Sequence, residues 1–276
     1  MYYSDIYVLQ GEHRMITSVG NPQVKRIVQL NQKAKARREE GVYVVEGLKM
    51  FMEAPSGMIE KVFLTETAAR REDVRDKLKS DNLAFEMVSD PVFSHMSDTK
   101  TPQGVLALVH TPEWQTEDIL NRRNPFFVIL EDLQDPGNAG TIIRTGEGAG
   151  VDAVFLTRGS VDVTNPKVIR STMGSIFRVP VIYVESVQAL MSSFRSRGIR
   201  SYAAHLKGKR DYDQTNMTGG IAILIGNEAN GLSDRAADEA DRLIRIPMQG
   251  KVESLNAAMA AGILMYEAAR QRRNIS

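Results

Sequence analysis

Apolar and polar positions along the first hundred residues alternate in both of the periods that regular structure uses. Within "KRIVQLNQKAKARR", residues 25–38, a helical period turns Ile27, Val28 and Leu30, with the preceding Val24, toward a core. The same period leaves Lys25, Arg26, Lys33, Lys35, Arg37 and Arg38 toward water. Further on, "VYVVEG", "KVFLT", "AFEMVS" and "GVLALVH" read as strands, and "LKMFMEA" and "ETAARREDVRDKLKS" as helices. These elements predict a small α/β domain over residues 15–110.

The rhythm changes at "TPEWQTEDILNRRNP", residues 111–125, a polar stretch bracketed by prolines that suits an interdomain linker. Beyond it, the apolar runs "FFVILEDL", "AVFLT", "VPVIYV", "YAAHL", "IAILIGNE" and "LIRIPM" are separated by helical segments. Continuous apolar strands alternating with helices predict a parallel sheet covered on both faces, in a second α/β domain over residues 126–276.

Composition narrows the chemistry. The chain has 276 residues, no cysteine and four scattered histidines, His13, His95, His110 and His205, without metal-ligand spacing. Thiolate sites and disulfides are excluded and no metal is expected. The N-terminus lacks a basic start followed by an apolar core, and "AAMAAGILMY" is too short to span a bilayer, so a cytoplasmic protein without membrane contact is expected. A net charge of +1 hides the acid-free basic run at residues 25–38, which is either a solvated helix face or a phosphate-binding one.

Three loops beyond predicted strands combine glycine with Asn, Glu, Ser or Arg: "DPGNAGTIIRTGEG", "GNEANGLS" and "IPMQGKVESLN". Glycines at such turns often mark a close approach of backbone to a ligand. A dinucleotide-binding turn fits poorly, because Gly137 and Gly140 are wrongly spaced and Thr157 and Arg158 stand where a ribose-binding acid belongs. No G-K-[ST] occurs, which removes a P-loop.

In order and spacing, "DPGNAGTIIRTGEGAGVDAVFL", "ILIGNEANGLS" and "RIPMQGKVESLNAAMAAGILMYE" resemble the three signature motifs of the SpoU/TrmH branch of the SPOUT RNA methyltransferases. "VYVVEG" and "SDTKTPQGVLALV" are more weakly similar to the α/β substrate-binding domain that precedes the catalytic domain in many members. The resemblance implies a C-terminal SPOUT domain with a deep trefoil knot. It also implies S-adenosylmethionine as cofactor, methyl transfer to a ribose 2′-hydroxyl of RNA, ribosomal RNA favoured, and a homodimer in which both subunits build each site. A transfer-RNA substrate and a non-catalytic RNA-binding assembly protein are the rival readings.

On that likeness Arg144 is placed at the reacting hydroxyl, with Asn138 orienting it or the RNA backbone, or simply capping a helix. Glu228 would hold Arg144 or accept the proton, and Ser254, with Asn256, would open the last helix as its N-cap. Gly226, Ile246, Met248 and Leu255, together with Leu206, match the cofactor-binding positions. Lys167, Arg170 and Ser171 would add RNA contacts to those of the basic run.

Overall fold

The computed structural model describes residues 15–252 and 254–273. The N-terminal stretch inspected for a targeting pattern lies outside the described residues. The chain divides into two compact units, one running to Pro112 and including Thr164–Phe177, the other comprising Glu113–Val163 and Arg178–Ser276.

In the first unit, α1 (Pro22–Gln32) starts with proline in its first turn, and the Asn21 side chain accepts the Gln23 amide at 2.8 Å. Val24, Ile27 and Leu30 are buried while Val28 is only half-buried. The single helix expected over residues 25–38 is broken at Lys33, whose backbone is extended, and resumes as α2 (Ala34–Glu40). The remaining elements are β1 (Val42–Glu46), α3 (Leu48–Glu53), β2 (Ile59–Leu64), α4 (Glu66–Ala69), α5 (Glu72–Ser80), β3 (Phe85–Met87), α6 (Asp90–Met96) and β4 (Val105–His110). The helix expected over residues 66–80 is thus two, parted where Arg71 is extended. The short α6 was not expected from the sequence. The sheet order is β1-β4-β2-β3, with β4 antiparallel to both neighbours and β2 parallel to β3.

The second unit begins with α7 (Thr116–Leu120), β5 (Phe126–Leu130), α8 (Pro136–Ala149) and β6 (Ala153–Thr157). The chain then contributes α9 (Pro166–Thr172) to the first unit. It continues as β7 (Val181–Val184), α10 (Val187–Ser196), β8 (Arg200–Ala204), β9 (Arg210–Asp211), β10 (Ile221–Ile225), α11 (Asp234–Glu239), β11 (Arg242–Arg245) and α12 (Ala257–Arg273). All strand pairs of the β7-β6-β5-β10-β8-β11-β9 sheet are parallel. Of the segment read as a linker, Ile119 and Leu120 lie in this unit's core, which also holds the stacked rings of Phe127 and Phe194, and Trp114 packs against that core.

Every residue of β5 and β10, the central pair, is buried, as their unbroken apolar runs require. The chain moves outward from β5 to β6 and β7, then crosses to the other side of the sheet, where β8 and the edge strand β9 are formed before β10 inserts beside β5 and β11 between β8 and β9. That reversal of strand order places a crevice at the carboxyl ends of the strands. Helix α12 packs on α8 and on β10. Gly146 and Gly148 lie inside α8, as the sequence indicates, and serve packing: a Cβ on Gly146 would lie 3.3 Å from Val151, and one on Gly148 3.0 Å from the Tyr266 hydroxyl of α12.

Candidate active site

Helix α8 opens on Asp135, whose carboxylate accepts the Asn138 amide at 2.8 Å, with Pro136 at the first helical position. Asn138 is therefore inside the first turn and is not the cap. Its side chain is free for other work. Nδ2 donates to Glu228 Oε1 at 3.0 Å, and Oδ1 accepts from Asn256 Nδ2 at 2.9 Å.

Glu228 reaches this point from the loop that follows β10. Gly226 starts that loop, and a Cβ there would lie 2.1 Å from the Gly231 carbonyl carbon and 2.2 Å from the Leu232 nitrogen, so only glycine lets the loop fold back on itself. Asn227 and Gly231 exchange backbone hydrogen bonds of 3.0 and 2.9 Å across the fold. Asn227 Nδ2 donates to the Asp132 carbonyl at 2.8 Å, and Glu131 accepts both the amide and the hydroxyl of Ser233, at 2.8 and 2.7 Å. The loops after β5 and β10 are thereby stitched together.

Asn256, and not Ser254, caps α12: its Oδ1 accepts the amides of Ala258 at 2.9 Å and Met259 at 3.2 Å. Ser254 lies two residues earlier, exposed at the rim of the cavity described below. The hydrogen-bonded series Glu228, Asn138, Asn256 thus joins the three motif segments at one place. No shared hydrogen bond links any of them to Arg144.

The Glu228 carboxylate accepts three donors, the Gln134 amide at 3.0 Å, the Asp135 amide at 2.9 Å and the Asn138 side chain. Partial burial opposes its ionisation, but the Gln134 amide, the Asn138 side chain and the Asp135 amide outweigh it and hold the carboxyl below the usual glutamate range. The N-terminus of α8 favours the same charge. Three donors fix the carboxylate in place at the start of α8. Arg144, two turns into α8, is exposed and forms no ion pair with any described residue, Glu228 included.

Beyond the ends of β8, β10 and β11 lies a cavity of about 420 Å³. Its wall includes all five expected cofactor positions, Leu206, Gly226, Ile246, Met248 and Leu255, and also Glu228 and Ser254. Its volume falls within the range of small-molecule sites, and Ile225, Leu232 and Ile244 give it an apolar floor.

The basic run divides. Lys25, Lys33, Lys35 and Arg38 are exposed. Arg26 is instead held by Glu40 at 2.6 Å and Glu60 at 2.5 Å, and Arg37, only 3% exposed, donates to the carbonyls of Leu30 at 2.6 Å and Asn31 at 3.2 Å. These two arginines are structural: Arg37 satisfies carbonyls left open where α1 ends. Lys167 is exposed on α9 of the first unit, Arg170 pairs with Asp98 at 2.9 Å, and the Ser171 hydroxyl bonds back to the Lys167 carbonyl. Sequence reasoning missed Asp135, Asn227 and Glu131, although the Asp-Pro dipeptide at residues 135–136 is itself a helix-start signal.

Comparison with known proteins shows the family. The profile of the SpoU rRNA Methylase family matches residues 125–266, and that of the MRM3-like substrate binding domain matches residues 21–107. The 23S rRNA (guanosine(2553)-2′-O)-methyltransferase RlmP of Bacillus subtilis is 31% identical over 255 residues, covering 92% of this chain and 98% of the relative. An AdoMet-bound rRNA methyltransferase from Sinorhizobium meliloti superimposes with a TM-score of 0.81 at 32% identity, over 93% of this chain and 97% of that one. The SpoU methyltransferase AviRb from Streptomyces viridochromogenes, in complex with AdoMet, gives 0.83 at 27% identity over 92% and 98%. The chain belongs to the SpoU rRNA methylase family.

Proposed function

We propose that the protein transfers the methyl group of S-adenosylmethionine to a ribose 2′-hydroxyl of ribosomal RNA, at the cavity beyond β8, β10 and β11. One observation carries the reading: three sequence-distant loops meet through Glu228, Asn138 and Asn256 beside a cavity walled by Leu206, Gly226, Ile246, Met248 and Leu255. The apolar floor suits the adenine ring, and the ionised Glu228 in the wall favours a sulfonium. S-adenosylmethionine, when bound, supplies a methyl group on a good leaving group.

The protein's own task is then positioning. Arg144 carries a permanent charge and has no partner among the described residues, so it is available to bind a phosphate of the target and to stabilise oxyanion character on the attacking oxygen. Glu228 and Asn138 hold the start of α8, the helix that carries Arg144, and Asn256 ties α12 to it. The hydroxyl proton is released to solvent as the O–CH3 bond forms and the S–CH3 bond breaks, while Glu228 keeps its three donors.

Several finer features belong to the same proposal. The C-terminal segment forms a deep trefoil knot, a reading supported by the way residues after β11 line the cavity and α12 then packs on α8 and the central strand β10. The first unit recognises RNA, through Lys25, Lys33, Lys35 and Arg38 and with Lys167. Two copies associate through the outer face of α12, where Met259 is 62% and Tyr266 49% exposed, about two helical turns apart. The protein works in the cytoplasm.

The decisive test supplies the purified protein with methyl-labelled S-adenosylmethionine and separately with ribosomal and transfer RNA from cells lacking the gene. Label in ribosomal RNA, in a dinucleotide that resists alkaline hydrolysis because its 2′-oxygen is blocked, is expected. Label on a base, or only in transfer RNA, overturns the reading.

A further inference from the structure

Seven arginines of the second unit are each paired with a carboxylate of the same unit: Arg122 with Asp152, Arg158 with Glu185, Arg178 with Glu147, Arg195 with Glu239, Arg197 with Glu117, Arg245 with Asp211 and Arg270 with Glu267. Lys207, Lys209, Arg210 and Arg242 are not among them. All four are exposed, and none has an ion-pair partner among the described residues. They are also gathered in one place. Together with Leu243 and Ile244 they line a groove of about 270 Å³ at the β9 edge of the sheet.

The backbone fixes this clustering. Arg210 is registered against Ile244 in the parallel pairing of β9 with β11. The preceding turn is drawn onto β11 by the His205 amide, which donates to the Ile244 carbonyl at 2.9 Å. Gly208 makes the approach possible, since a Cβ there would lie 2.7 Å from the Ile244 carbonyl carbon and 2.9 Å from the Arg245 nitrogen. The one acid in the β9 strand, Asp211, is occupied by Arg245 at 2.7 Å. Four like charges brought together without compensation repel one another, a cost that an anionic partner reverses.

The groove adjoins the site. Lys207 and Ile244 line both the groove and the cavity at the ends of β8, β10 and β11. We infer that Lys207, Lys209, Arg210 and Arg242 form a binding track for the phosphodiester backbone of the substrate RNA, placed on the methyltransferase unit beside the reacting nucleotide. The inference rests on the methyl-transfer reading for the identity of the substrate. It adds a second RNA contact surface, separate from the cations of α1 and α2. Spaced cations on the edge strand β9, its neighbour β11 and the turn before β9, with no aromatic ring lining the groove, suit a chain of phosphates better than a stacked base.

The test compares the full chain with its K209Q/R210Q/R242Q variant; Lys207, which also borders the cavity, is left intact. RNA affinity is measured by fluorescence anisotropy over a salt series with a labelled ribosomal RNA fragment, S-adenosylmethionine affinity by calorimetry, and folding by thermal melting. The expected result is a fall in RNA affinity of at least about tenfold at low salt, with the slope of log K against log salt shallower by about 2 for three lost contacts to single-stranded RNA. Cofactor affinity and melting temperature stay at the parental values. Unchanged RNA affinity and slope overturn the proposal, as does a loss confined to S-adenosylmethionine, which assigns the cations to the cofactor. A melting temperature that falls sharply is resolved with K209Q alone, for which a slope shallower by about 0.7 is expected and an unchanged slope refutes the track. Failure of the methyl-transfer reading is distinguishable, because the parental protein then labels no RNA while these binding measurements still report on the groove.

Discussion

Asn138 donates to Glu228 Oε1 at 3.0 Å and accepts from Asn256 at 2.9 Å, so a single amide side chain bridges segments 90 and 118 residues away. Its partner Glu228 is held ionised by three donors, and this has a definite signature in pH. A carboxyl lowered in the folded state adds stability above its unfolded value, which disappears as pH falls through the lowered one. Glu228→Gln is therefore expected to lower stability by about 1 kcal/mol at neutral pH, the group being solvent-exposed, and the difference from the parent should vanish in acid. Because Glu228 stays ionised through the working range, the variant is expected to lower kcat without removing any inflection between about pH 6 and pH 9. Loss of such an inflection would restore Glu228 as the base.

Arg144 is exposed too but has no partner among the described residues. Arg144→Ala should leave stability within about 0.5 kcal/mol of the parent, as for surface positions generally. Removing the charge at the reacting oxygen should cut kcat by about 10²-fold or more, while calorimetric affinity for S-adenosylmethionine remains nearly intact. Arg144→Lys should recover only part of the rate, since the planar fork is lost. A large loss of cofactor affinity in Arg144→Ala contradicts the role.

The six cations of the basic run should separate into two groups under mutation. Changing Lys33 and Arg38, both exposed, to glutamine should weaken RNA binding and reduce its salt slope by about 0.7 to 0.9 per phosphate contact, with stability preserved. Arg37→Ala instead removes a buried guanidinium from the carbonyls of Leu30 and Asn31 and should destabilise the protein by about 2 kcal/mol in urea titrations. Wild-type stability in that variant would return Arg37 to the surface.

What the sequence made legible follows physical range. The apolar runs of β5 and β10 announced a parallel sheet because strands buried on both faces leave no polar alternation. The three motifs announced that their loops meet. Boundaries and partners were less visible: nothing local in "KRIVQLNQKAKARR" shows that Lys33 is extended, because the break depends on how Arg37 turns back on α1. Likewise Arg26 finds its acids at Glu40 and Glu60, outside the run that appeared acid-free. The cap of α12 was misplaced by two residues because Ser254 and Asn256 are equally good caps in isolation, and the bond from Asn256 to Asn138 is long-range.

Gly226 tests whether the cavity depends on the loop's own packing. A Cβ there meets backbone rather than a movable side chain, 2.1 Å from Gly231 C and 2.4 Å from Gly231 O, so relief requires opening the Asn227–Gly231 pairing. Gly226→Ala should cost about 3 kcal/mol or more by urea denaturation and abolish S-adenosylmethionine binding. Near-normal stability and affinity would mean that the loop is not folded in this way.

The outer face of α12 supplies the last prediction. Met259 and Tyr266 are exposed at helical spacing, and α12 packs against α8, which carries Arg144. If a second copy covers this face, a charge placed there is desolvated on association and opposes it, whereas in a monomer the same charge remains in water and has little effect. Met259→Arg should therefore shift the protein from dimer to monomer in sedimentation velocity without lowering the melting temperature of the monomer. Since Arg144 lies on the helix that α12 packs on, transfer activity should fall together with the dimer fraction and recover at high protein concentration. A variant that remains dimeric, or a parent that sediments as a monomer at every concentration, rules out this face as the contact.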